Sequence, residues 1–226
     1  MRQQKIIAML VLLIVFLPSD SYGKWIKIQP LRQTGDTFLS DIVSQCPNPE
    51  VYRDSDIVTT GHESTHGVNS RIRNMNPGYN GYYFLNGDAF IVKTPRGVTL
   101  SQIARNTPQE WRGKIYNLYL IQQQQYWNDS PLYVLDECTA YLAGACVGIE
   151  INNRHRTQES FDHALEMLGY ARVAQKLAGN YEDEAELAIL IDFVYSRAVY
   201  IAHIMYDMGW YTAEHDKLLR RVGEKL

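Results

Sequence analysis

The sequence predicts an α+β domain dominated by helices, and three observations carry that prediction. From about residue 99 to the C-terminus, apolar residues recur in steps of three and four through most of the chain, the mark of packed helices. Two runs of β-forming residues, Tyr82–Leu85 and Asp88–Val92, flank Asn86-Gly87, a strong hairpin signal because both turn positions need positive φ. No internal repeat and no linker divides the chain, so residues 24–226 are read as one domain with a small sheet or hairpin beside a helical body.

Residues 1–23 are read as a secretory signal peptide. Arg2 and Lys5 precede an apolar stretch from Ile6 to Leu17, which ends in Pro18-Ser19-Asp20-Ser21-Tyr22-Gly23. The apolar run is about a dozen residues, short of the roughly 20 that span a bilayer, and no later stretch reads as apolar enough to span. The expectation is a secreted or periplasmic protein with no stable membrane anchor once the signal is removed.

Trp25–Ile28 then reads as a strand and Thr37–Gln45 as a short helix, followed by a loop at Pro47-Asn48-Pro49. Asp54-Ser55-Asp56 supplies N-cap side chains for a helix over 57–72, whose Val58, Gly61, Thr65, Val68 and Ile72 share one face. Gly61 and Thr65 are small, which permits close packing there. Asn74–Gly81 is a loop by composition, and helices are expected at 99–105, 108–127, 131–150, 157–178, 182–209 and 212–224.

The whole chain carries 22 basic and 25 acidic side chains, a formal charge of −3. Loss of Arg2, Lys5 and Asp20 with the signal leaves 20 basic and 24 acidic groups, a charge of −4. With no basic patch to meet a phosphate backbone, no nucleic acid is expected as a partner. Three cysteines, Cys46, Cys138 and Cys146, are too few for a disulfide scaffold. Cys138 and Cys146 lie about 12 Å apart along one helix, too far to bond, so Cys46 pairs with one of them or all three are reduced and buried.

The chemistry concentrates in His62-Glu63-Ser64-Thr65-His66, an HExxH motif inside the helix predicted over 57–72. Residues four apart lie on one helix face, so both imidazoles reach one cation, while Glu63 projects beside them as a general base. A catalytic zinc takes three protein ligands and keeps a fourth position open. The metzincin position for a third histidine is Ile72, which excludes that arrangement. The best remaining source is Leu135–Tyr141 in a later helix, where Glu137 and Ala140, with the small residues Ala143 and Gly144, lie along one face.

His62, Glu63, His66, Glu137 and Ala140 together resemble the gluzincins, zincins whose third ligand is a Glu on a second helix, often in an ExxA pattern. The resemblance covers the two motifs, about 25 residues. It implies a zincin-like fold and hydrolysis of peptide bonds in a protein or peptide substrate, with Zn2+ held by His62, His66 and Glu137 and with Glu63 as base. Where thermolysin-like members carry an Asp that orients a zinc-bound His, this chain has Tyr141, which leaves Asp136 or Asp88 to supply that partner. Tyr133, one turn before Glu137, is the candidate donor to the oxyanion, with Tyr141, Tyr79 and His155 as competitors.

Among the other polar residues, Arg71 and Arg73 are read as solvated, or as a fork for a substrate carboxylate. Asn69, one turn beyond His66, faces the metal side. The hairpin offers an edge strand to an extended peptide or serves as a flap, and Tyr79, Tyr82 and Tyr83 line a pocket or pack. His203 reads as a core histidine, and Phe193, Tyr200, Tyr206 and Trp210 as helix-packing residues. Two rival readings of the whole remain: an inactive zincin-like binding module, and a secreted metal-dependent amidase acting on cell-wall peptides.

Overall fold

The computed structural model describes residues 24–179 and 182–224, so the signal-peptide reading of 1–23 falls outside the described residues. In chain order the elements are β1 (Lys24–Lys27), α1 (Phe38–Gln45), α2 (Ile57–Met75), β2 (Asn80–Tyr83), β3 (Asp88–Val92), α3 (Leu100–Asn106), α4 (Gln124–Trp127), α5 (Tyr133–Glu150), α6 (Arg154–Ala178), α7 (Glu182–Asp207) and α8 (Ala213–Gly223). Short 3-10 turns at Pro49–Tyr52 and Gln109–Trp111 and a π-helical segment at Asn117–Gln122 complete them. The protein is thus α+β and predominantly helical, as the periodicity predicts.

Local chemistry sets several helix starts. Thr37 with Ser40, Thr99 with Gln102 and Thr212 with His215 each close a reciprocal cap at the start of α1, α3 and α8. Asp56 accepts from the Val58 N–H at the start of α2. That helix runs three residues beyond the expected end, to Met75, where the Asn76 N–H bonds to the Arg73 carbonyl.

The sheet has three antiparallel strands in the order β1-β3-β2. The Asn86-Gly87 signal does mark the turn, but Leu85, Asn86 and Gly87 all have positive φ and the Phe84 N–H closes onto the Asp88 carbonyl, so the loop is longer than a two-residue turn. β1, read as a separate strand, pairs with β3 in the register Trp25↔Phe90.

The helix expected over 108–127 is not continuous. Gly113 passes so close to the Glu166 carboxylate of α6 that a Cβ there would lie 2.3 Å from Oε2, and the same carboxylate accepts from the Ile115 N–H. A side chain from a distant helix therefore takes a backbone donor that α-helical bonding would have used. The chain resumes as a π-helical turn and then the single turn of α4.

Two apolar clusters flank α5. The larger one joins α5 to α6, α7, α8 and α3, with Leu135, Phe161, Leu165, Tyr170 and Leu190 at its centre. The smaller one joins α1, α2 and the sheet, and includes Ala143 and Val147 of α5. All three cysteines are buried and free, so Cys46 pairs with neither of the others. His203, expected in the core, is exposed, and so is Tyr206. Helix α7 is long and apolar enough over Glu184–Asp207 to cross a membrane by length and composition, contrary to the reading that no later stretch is. Its Leu187, Leu190, Ile191 and Val194 are fully buried against neighbouring helices, while most of that window is not buried.

Helices α2 and α5 meet through small residues, as expected. A Cβ on Gly61 would lie 2.8 Å from a Val147 methyl, and one on Gly144 would touch the side chain and carbonyl of Val58 at 3.5 Å. Gly61→Leu is expected to lower unfolding stability in urea by about 1–3 kcal/mol through overpacking and to weaken metal binding by parting the helices. A variant as stable as the native chain would contradict this close approach.

Candidate metal centre

The crossing of α2 over α5 brings three donors together. His62 and His66 project from one face of α2, with their Nε2 atoms 3.1 Å apart. Glu137 of α5 places Oε2 3.6 Å from His62 Nε2 and Oε1 3.6 Å from His66 Nε2. His62 and Glu137 are buried and His66 is partly so, and the donor atoms of all three lie within 4.8 Å of one another. The three sequence-predicted ligands, drawn from helices far apart in the chain, are thus assembled into one cluster that can bind a metal ion.

The geometry fits such an ion. Bonds of about 2.0–2.1 Å in a tetrahedral set place ligand atoms about 3.3 Å apart, close to the separations seen here. Glu137 Oε2 is buried and has no hydrogen-bond partner among the described residues. A buried carboxylate oxygen without a donor is costly, and a cation meets that need.

Asp136, next to Glu137 in sequence, is the partner of His66, with Oδ1 3.3 Å from Nδ1. It is itself held on both oxygens, by Asn69 Nδ2 at 2.6 Å and by Arg73 Nη1 at 2.9 Å. Of the two aspartates considered from sequence, Asp88 is elsewhere, paired with Lys27 at 2.7 Å. Arg73 is therefore neither merely solvated nor free for a substrate carboxylate. Arg71 is likewise engaged, donating to the Gln45 and Gln29 carbonyls.

Asn69 also accepts from the Tyr83 N–H at 2.8 Å, which ties the His66 support to β2. Because that strand lies against α2 and its Tyr83 amide is taken, it is not the free edge that peptide capture would require. Tyr82 and Tyr83 are buried, bonded to the Leu132 carbonyl and to Asp41 respectively, so they pack rather than line a pocket.

Electrostatics follow from this arrangement. Burial alone would lower the His66 pKa, but its hydrogen bonds and charge interactions with Asp136 and Glu137 outweigh that and raise it to about 10. Burial, with the neighbouring His66 charge, lowers His62 to about 4. Burial would raise Asp136 and Glu137, yet His66 and their other donors hold both below the usual carboxylate value. Without metal, one imidazolium is thus clamped between two carboxylates.

Glu63 stands on the open side of the cluster. Its side chain is half exposed, with Oε1 3.9 Å from His62 Nε2, and burial of the remainder raises its pKa. Tyr133 and Tyr141 lie one turn before and after Glu137 on α5. Tyr133 faces the Glu137 carboxylate, and burial with that neighbouring charge raises the pKa of its phenol. The Tyr141 ring packs 4.3 Å from the His62 ring, and its hydroxyl is 2.7 Å from that of Tyr119.

Tyr119, which the sequence pattern does not single out, arrives from the π-helical segment, a distortion that frequently occurs at functional sites. His163 of α6 meets the Tyr141 ring edge-on at 5.0 Å. The other competitors lie away from these contacts: Tyr79 packs beneath Lys24 and Lys93, and His155 is exposed at the start of α6.

A metal must displace the His66 proton, so affinity is expected to rise about tenfold per pH unit between about pH 5 and 9 and to be lost on acidification. Asp136→Asn should weaken binding about 10–100-fold and flatten that slope toward neutral pH, since it removes the group that keeps His66 charged. Competition with a zinc-chelating dye at several pH values measures both. Affinity independent of pH, or unchanged in Asp136→Asn, would show that His66 does not exchange a proton for metal.

No protein-family model, curated protein or solved structure matches the chain, so the work of this centre is read from its own residues.

Proposed function

We propose that the chain is a zinc-dependent peptidase of the gluzincin kind that hydrolyses peptide bonds in a protein or peptide substrate, with Glu63 as general base. The observation that carries this reading is the convergence of His62, His66 and Glu137 at 3.1–3.6 Å, with a carboxylate behind His66 and Glu63 on the open side. Zinc is the metal of choice because two His and one Glu with an open position form a known catalytic zinc set. The signal-like order of residues 1–23 supports export, and the acidic balance of the remainder supports a substrate other than nucleic acid.

When bound, zinc supplies Lewis acidity toward a carbonyl and lowers the pKa of a water to about 7. Glu63, more basic than a solvated glutamate because part of it is buried, accepts the proton of the attacking water and returns it to the leaving amine. Two phenols stand beside the metal ligands as donors to the oxyanion: Tyr133, which faces Glu137, and Tyr141, which lies against His62 and is oriented by Tyr119. Burial raises the pKa of all three phenols, so they stay protonated donors at neutral pH.

Zinc content and hydrolysis measured together test the proposal. The native chain is expected to keep about one zinc after dialysis, and Glu137→Ala to lose it. Glu63→Gln should retain zinc while its hydrolysis of casein falls about 10²–10⁴-fold. Zinc retention with casein cleavage unaffected by Glu63→Gln would overturn the assignment of the base. Cleavage of wall peptides but not of casein would replace the peptidase by the wall amidase.

A further inference from the structure

The segment that brings Tyr119 to the centre has a second, unexplained property. Four of the eleven large hydrophobic side chains exposed among the described residues, Leu118, Ile121, Tyr126 and Trp127, fall within it. Such a concentration marks a binding surface more than chance exposure. The exposure is not that of a loose loop. The segment is pinned near its start by Glu166, which accepts from the Ile115 N–H, and at its end by Asn128, which bonds to the Leu100 and Ser101 backbone amides.

Trp127 is the member that joins this surface to the metal centre. Its indole stacks on the Tyr133 ring at 4.8 Å and 6°, and Tyr133 lies one turn before Glu137 on α5. One helical turn of about 6 Å and the 4.8 Å ring stack together place the indole on the order of 10 Å from Glu137. That equals about three residues of extended chain at about 3.3 Å each. Between Lys114 and Asp129 the chain carries no charged residue, so the surface offers aromatic, aliphatic and amide contacts only.

We infer that Trp127, stacked on Tyr133 beside the metal ligands, is the subsite for an apolar side chain of the substrate within about three residues of the cut bond. This rests on the peptidase reading and names the substrate class that reading leaves open. An aromatic or large aliphatic side chain lies against the exposed part of the indole. Trp127 acts on substrate choice and takes no part in bond cleavage.

The test uses the zinc-loaded full chain and a peptide panel varying one residue at a time around the cut bond, read by mass spectrometry. Trp127→Ala should lower kcat/KM about tenfold for peptides with Phe or Leu at one such position, while peptides with Gly or Ser there are cleaved as before. Trp127→Phe should restore most of the preference, and both variants should keep their zinc. A uniform loss over all peptides, or an unchanged preference in a chain that cleaves, overturns the subsite alone. Zinc-loaded wild type that cleaves no peptide overturns the peptidase reading and the subsite with it.

Discussion

Everything at the metal centre depends on how closely α2 can lie on α5. Two imidazoles from one helix converge on a carboxylate from another only if the backbones meet without side chains between them. Gly61 against Val147 and Gly144 against Val58 permit that meeting. The crossing also places His62, Asp136 and Glu137 in the interior, where charge is expensive unless paired. The pairing is complete on one side only. Asp136 is surrounded by donors from His66, Asn69 and Arg73, whereas Glu137 keeps one buried oxygen without a hydrogen bond. Such a centre is poised to exchange the His66 proton for a cation, because the carboxylates that hold the imidazolium are the same groups that favour a metal.

The elements around the crossing serve it in distinct ways. The sheet backs α2, where Asn69 joins the Tyr83 amide to Asp136, so the orientation of His66 is tied to the rigid part of the small core. On the opposite side, α6 fixes the irregular 113–122 stretch through Glu166, and that stretch delivers Tyr119. In the proposed peptidase, the first network sets the metal ligand and the second sets the donor and the substrate surface.

Features that depend on neighbours along the chain are legible in the sequence. The HExxH spacing and the small residues on α2 and α5 follow from helical periodicity, the choice of Glu137 follows from the gluzincin resemblance, and the three side chains do converge. Features set by distant partners are not legible there. The pattern over 108–127 is locally helical and predicts a continuous helix, whereas Glu166, some fifty residues away, takes the Ile115 N–H within it. That departure conceals Tyr119, which a regular helix would not single out. The choice between Asp136 and Asp88 depends on which carboxylate faces His66. His203 shows the reverse failure: an apolar helix can still expose one position, and sequence averages conceal it.

Zinc K-edge X-ray absorption of the zinc-loaded chain, beside its Glu137→Ala variant, tests the central claim most directly. The account predicts two imidazole nitrogens and a carboxylate oxygen at about 2.0–2.2 Å in the native chain, and no imidazole-bound zinc in the dialysed variant. A sulfur shell at about 2.3 Å, or a native spectrum without paired imidazole scattering, would contradict it.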